Sequence, residues 1–136
     1  MKVILQVIIS LLLTSNLIYA NEFREVQEIS LKKDMVKKIL VKYDGKERLF
    51  KFRWTLFIND GLVVFRSYDK IVHQNVLYKK YKNKSFRQEL KTRGRDFYNV
   101  PYILVQFVEF KHDTNEAVFK LLLSDASQKI ILKHLN

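Results

Sequence analysis

The clearest alternation of apolar and polar side chains runs over residues 48–68, RLFKFRWTLFINDGLVVFRSY, and predicts a β-hairpin. Two aromatic and β-branched runs meet at Asp60-Gly61, a dipeptide that tolerates the positive φ angles of a tight turn. With those two residues as the turn, Asn59 faces Leu62, Ile58 faces Val63, Leu56 faces Phe65 and Trp54 faces Ser67. Phe50, Phe52, Trp54, Leu56, Ile58, Val63 and Phe65 then share one face, the expected core surface. Lys51, Arg53, Thr55, Phe57, Val64 and Arg66 share the other, which is half polar. Side chains alternate with a period of two, so a slip of one residue exchanges the faces.

The same reading extends along the chain in both directions. Residues 39–43 lead into Asp44-Gly45 and then Arg48-Leu49-Phe50, a second hairpin signal that demands a strand over 39–43. Val26, Ile29, Met35, Val36, Ile39 and Leu40 also fit helical spacing. The hairpin signal favours two strands instead, about 24–31 and 36–43, turning near Lys32-Lys33-Asp34. Residues 70–78 (KIVHQNVLY) form another strand after an Asp69-Lys70 connection. Over 86–90 two patterns compete. Ser85 with Gln88 resembles a helix capping box, and Phe86 with Leu90 fits a short helix ending at Gly94; Phe86, Gln88 and Leu90 also alternate as in a strand, which is preferred.

Pro101 opens a further unit, since proline is tolerated at the start of a strand. Residues 102–111 (YILVQFVEFK) are apolar on both faces, which places them centrally. Strands over 117–123 and 129–135 follow, separated by polar turns at 112–116 and 124–128. Eight or nine short strands with frequent turns predict an all-β fold, an antiparallel sandwich or barrel. No repeat, low-complexity tract or linker interrupts it, so residues 21–136 read as a single domain.

The first twenty residues follow a different pattern. Lys2 precedes an apolar run over 3–13, then come the more polar Thr14-Ser15-Asn16 and Tyr19-Ala20, ahead of the charged residues from Asn21 to Glu25. This is the order of a secretory signal peptide cleaved after Ala20. The apolar run is too short and too interrupted for the ~20 residues of a spanning helix, so no transmembrane span is expected in the mature chain. The chain has no cysteine, which excludes a lipid-anchored lipoprotein and leaves the domain to stand without disulfides.

Composition and charge then sharpen the picture. Lysine, isoleucine, phenylalanine, asparagine and tyrosine abound while glycine and proline are scarce, the bias of an AT-rich bacterial genome. Together with the signal peptide it points to a periplasmic or secreted protein. Removing Lys2 with the leader leaves 24 basic residues against 14 acidic, a net charge of +10. Residues 79–95 contain eight basic side chains and one acidic, Glu89, so +7 of that excess lies there. Around it Tyr78, Tyr81, Phe86, Phe97, Tyr98 and Tyr102 interleave with Lys79, Lys80, Lys82, Lys84, Arg87, Lys91, Arg93 and Arg95. Cations beside flat aromatic faces suit phosphate-bearing or sugar-rich anions. The candidate binding residues are therefore Tyr78, Lys79, Lys80, Tyr81, Lys82, Lys84, Arg87, Arg93 and Arg95. The bland reading is a solvated loop whose lysines reflect composition.

The sequence carries no recognisable catalytic constellation. No glycine-rich phosphate loop, H-E-x-x-H, G-x-S-x-G or cysteine motif occurs, and no cofactor is expected. His73, His112 and His134 lie far apart without metal-ligand spacing, and Asp44, Asp60 and Asp125 read as turn formers. Asp69, Asp96, Glu89 and Glu109 remain as isolated carboxylates. Nucleic-acid signatures are absent and export argues against such a partner. The sequence thus points to a non-enzymatic exported domain that binds envelope proteins, because apolar residues on both faces of several strands, including Phe57 and Val64, exceed what a one-faced sheet needs. The alternative is a binder of an acidic lipid, lipopolysaccharide or acidic glycan through 78–102.

The leader reading makes a direct prediction. The exported protein should begin at Asn21, which its intact mass will show; a retained Met1 in the membrane fraction is the contrary result.

Overall fold

The computed structural model describes residues 23–92 and 99–136. The leader with its junction after Ala20, and Arg93, Arg95, Asp96, Phe97 and Tyr98, fall outside the described residues. The described chain is all-β: β1 (Glu25–Lys32), β2 (Lys37–Tyr43), β3 (Lys46–Ile58), β4 (Gly61–Tyr68), β5 (Ile71–Tyr78), β6 (Ser85–Glu89), β7 (Tyr102–Lys111), β8 (Glu116–Ser124) and β9 (Ile130–Leu135). They form two antiparallel sheets, a four-stranded one in the order β1-β8-β7-β6 and a five-stranded one in the order β5-β4-β3-β2-β9. Each sheet is one continuous meander completed by a strand from the far end of the chain. β9 pairs with β2 and β1 pairs with β8, so the two terminal strands clasp the sheets together. The chain changes sheets between β5 and β6 through the loop 79–84, and residues 85–89 are extended, not helical.

Two-residue turns set the register of the larger sheet. Asp44-Gly45, Asn59-Asp60 and Asp69-Lys70 all take positive φ, between 50° and 68°, the backbone shape whose twist matches a hairpin. The central turn therefore sits one residue earlier than the Asp60-Gly61 expected from sequence. Gly61 is the first residue of β4, opposite Ile58. The Tyr78 ring packs against Gly61 there, and a Cβ would fall 2.9 Å from that ring and push it aside.

A second departure follows in β3. The register shifts between Trp54 and Leu56, leaving Thr55 as a bulge, so the faces exchange at that point. Phe50, Phe52 and Trp54 are buried as expected, but Leu56 and Ile58 turn outward and Phe57 turns in. On β4, Leu62 and Val64 are buried while Val63 and Phe65 face out. The expectation that Leu56, Ile58, Val63 and Phe65 join the core is thus corrected, and so is the placing of Phe57 and Val64 on the wet face.

The core is the space between the sheets. Phe50, Phe52, Trp54, Leu62 and Val64 from one sheet meet Phe86, Val105, Phe107, Phe119 and Leu121 from the other. Edge-on contacts cross the gap, Phe52 to Phe119 at 5.3 Å and Trp54 to Phe110 at 5.5 Å, the geometry that aromatic quadrupoles favour. The Trp54 indole N–H donates to the Leu31 carbonyl at 2.7 Å, tying β3 to β1 of the opposite sheet. Among the described residues no polar or charged side chain is buried. Polar groups seal the rim instead. Arg66, expected on the wet face, turns inward over the Phe86 ring at 4.7 Å and donates to Asn75 and Gln88, closing the gap between β5 and β6. The Tyr68 hydroxyl donates to the Leu90 carbonyl nearby.

Trp54→Ala should therefore cost about 3–5 kcal/mol, the range for deleting a large buried aromatic. Trp54→Phe, which keeps one aromatic ring but leaves a small void and abandons the Leu31 carbonyl, should cost about 1–3 kcal/mol. Urea unfolding measures both, and a loss well below 1 kcal/mol for the alanine variant would contradict the packing described.

Candidate interaction surface

The bulge adds Leu56 and Ile58 to an outer face of the five-stranded sheet that is already partly apolar. Leu49, Leu56, Ile58, Val72, Val76 and Ile131 stand exposed on it, with Val72 at 66 % and Ile58 at 56 % exposure. Among the described residues its charged side chains are Lys38, Lys42, Lys51, Arg53 and Lys133 against a single carboxylate, Glu47, which pairs with Lys42 at 3.0 Å. Lys38 and Lys51 lie directly opposite each other across β2 and β3. Like charges in that relation destabilise a sheet. Beside them a shallow depression of about 370 Å³ is bounded by Val36, Lys38, Lys51, Arg53, Phe65 and Val72.

The outer face of the four-stranded sheet is built oppositely. Glu28 lies across from Lys120, and Glu116 lies across from both Lys32 and Lys111. Arg87 and Glu89 approach at 3.9 Å on β6. Acid matches base there strand by strand. A lysine excess due to composition alone would load both faces alike; of the two outer faces, only that of the five-stranded sheet carries one.

The residues singled out from the sequence are dispersed. Lys79, Lys80, Tyr81, Lys82 and Lys84 lie exposed on the β5–β6 loop, where Tyr78 and Tyr81 make an edge-on contact at 5.6 Å. Tyr78, Lys79, Lys80 and Tyr81 line one side of an end cleft of about 300 Å³ whose other side is Phe57, Phe110 and His112. Arg87 is elsewhere, on the outer face of the four-stranded sheet, with its guanidinium 3.7 Å above the Tyr102 ring. Arg93 and Arg95 lie outside the described residues. Lys38 and Lys133 were missed because nothing in a one-dimensional pattern says that β2, β3 and β9 share a face. Lys51 and Arg53 were legible as a wet row but not as half of a cationic one.

No family model, curated protein or solved structure matches this chain. The surface must therefore be read from its own chemistry. Among the described residues no group of three or more histidine, aspartate or glutamate side chains could hold a metal ion. Of the remaining carboxylates, Asp69 occupies a turn and approaches Arg48 at 3.7 Å, and Glu109 stands exposed on β7. Asp125 caps its own turn through the Ser127 amide and pairs with Arg24 at 3.3 Å. Nor is any helix of the described residues long and apolar enough to cross a membrane.

A second groove, of about 470 Å³, separates β1 from β9 and is lined by Ile39, Ile103, Leu121, Leu123, Leu132 and His134 among others. The His134 Nδ1 is buried there without a hydrogen-bond partner. Burial, then the nearby Lys37 ammonium, hold its pKa below the usual 6.5, with Glu25 opposing weakly. The folded imidazole stays neutral where the unfolded one takes up a proton. Stability should thus be full above pH 6.5, fall as the pH drops from there toward the depressed folded value, and level off below it. His134→Leu should flatten this part of the profile of urea midpoints. Parallel profiles for variant and wild type would show that His134 does not contribute.

Proposed function

We propose that this is an exported, non-enzymatic binding domain that docks an acidic protein surface of the cell envelope on the outer face of its five-stranded sheet. The observation that carries this reading is the Lys38–Lys51 opposition. It works against the fold, and a carboxylate placed between the two ammonium groups turns that repulsion into attraction. Exposed Val72 and the half-buried Phe65 beside the pair supply apolar contact, and Arg53 extends the cationic row. An apolar centre with a charged margin is how protein interfaces combine affinity with orientation. The leader-like first twenty residues support export, and the lysine-rich, glycine-poor composition supports a bacterial periplasm.

This reading separates binding from stability. Lys51→Glu converts the like pair with Lys38 into an opposite one, so it should leave the fold as stable or stabilise it by up to about 1 kcal/mol. The same change should abolish photocrosslinking of the partner from a probe placed at Ser67, which lies opposite residue 51. Lys120→Glu, on the other sheet and facing Glu28, should cost a few tenths of a kcal/mol or so and leave the crosslink intact. Wild-type crosslinking should fall steeply with salt, since a Debye length of about 8 Å screens exposed charges at physiological ionic strength. Equal crosslinking by both variants overturns the proposal. Binding to anionic vesicles in place of a protein would assign the face to a membrane surface and overturn it equally.

A further inference from the structure

The two sheets have four edge strands, and three of them carry formal charge: β1 has Glu25, Glu28 and Lys32, β6 has Arg87 and Glu89, and β9 has Lys133. Charges, prolines, bulges and short length are what keep sheet edges from pairing with other chains. β5, IVHQNVLY, has none of these. It runs for eight residues in unbroken register with β4, without a charged side chain, a proline or a bulge. Ile71 and Val72 on it are 60 % and 66 % exposed.

The backbone of β5 shows where its open donors and acceptors are. The Tyr78 N–H donates to the Asn83 carbonyl at 3.2 Å, and the Val76 carbonyl accepts from the Asn83 side chain, also at 3.2 Å. Asn83 belongs to the loop beyond the strand, so these groups point away from β4. Main-chain groups of alternate residues in an antiparallel strand point the same way. Those of Val72 and Gln74 therefore also face the open side, and among the described residues Asn83 closes the edge only at its far end. Immediately beyond come Lys79, Lys80, Lys82 and Lys84, all exposed, with no acidic residue among them.

We infer that β5 takes an extended segment of the protein partner as a sixth strand, and that this segment is apolar with acidic residues at the end lying against Lys79–Lys84. The inference rests on the reading of the domain as a protein-binding module and adds where and how part of the partner is held. Main-chain hydrogen bonds to Val72, Gln74 and the Val76 N–H supply the pairing. The lysines of the loop supply the polarity, and this gives the basic loop a use that does not require it to be a site by itself. A second copy of this chain is the less suitable occupant, because each mature copy carries a net +10 and joining edges would merge two cationic outer faces.

The probe is a capped peptide of alternating valine and threonine with glutamates at both ends, its binding to the mature protein followed by fluorescence anisotropy. A version with alternate amides N-methylated keeps the side chains and loses the donors. It should bind about tenfold or more weakly, as expected for two or three lost hydrogen bonds. Gln74→Pro removes an outward N–H without breaking the β4 ladder and should weaken the unmodified peptide to the same degree, with the urea midpoint nearly unchanged. Replacing Lys79, Lys80 and Lys82 by Gln should reduce the salt dependence of binding. Equal binding of the two peptides, or binding of neither, overturns the inference. So does a dimer in sedimentation that Gln74→Pro dissociates, which would give the edge to a second copy. If the N-methylated peptide binds undiminished while Lys51→Glu still abolishes the partner crosslink, the outer-face reading stands and the sixth strand falls.

Discussion

Trp54 and the bulge beside it are the constraint on which the rest of this structure depends. Thirteen residues are too many for one side of β3 to remain in the core throughout, since the sheets twist past one another. The chain answers with one extra residue, Thr55, at the point where the indole crosses the gap to bond Leu31 and rest edge-on against Phe110. Upstream of the bulge the odd-numbered side chains Lys51 and Arg53 face solvent; downstream Phe57 enters the core and stacks on Phe110 at 4.1 Å. The same step sends Leu56 and Ile58 outward. Leu56 and Ile58 thus stand on the outer face as a direct consequence of how the core is filled, whereas Leu49, Val72, Val76 and Ile131 reach it by ordinary alternation.

The two outer faces show what folding requires and what it does not. On the four-stranded sheet, carboxylates sit across from lysines and each cross-strand pair helps the fold or leaves it indifferent. On the five-stranded sheet, Lys38 faces Lys51 and the remaining cations have one carboxylate among them. Such pairs contribute a modest repulsion in water, and less in salt. The interior needs no help from either arrangement, because it is closed by apolar side chains and by Arg66 and Tyr68 at its rim. Charge on the outer faces is therefore not used to close the core, and of the two faces only that of the five-stranded sheet is cationic.

Much of this was determined by the sequence alone. Alternation and turn residues are local properties, so the strands at 71–78 and 102–111 and the hairpin turn at Asp44-Gly45 could be read directly. The all-β class followed from the same periodicity. The helical alternatives around 26–40 and 86–90 gave way to strands at Glu25–Lys32, Lys37–Tyr43 and Ser85–Glu89, since pairing with neighbouring strands satisfies backbone groups that an isolated short helix would leave marginal.

What the tertiary structure decided is what no local pattern encodes. Asn59-Asp60 and Asp60-Gly61 are both acceptable turns; the structure uses Asn59-Asp60 and places Gly61 in β4 against the Tyr78 ring of the neighbouring strand, a contact that no local pattern encodes. The bulge at Thr55 leaves no mark in the alternation, yet it reverses the fate of Leu56, Phe57 and Ile58. The basic run at 79–84 was visible as charge, but the cationic face was not, because Lys38, Lys51 and Lys133 are brought together only when β9 returns to pair with β2. Sequence fixes which strands can form; the register and order in which they pair fix which side chains share a surface, and pairing is a contact between residues that are distant along the chain.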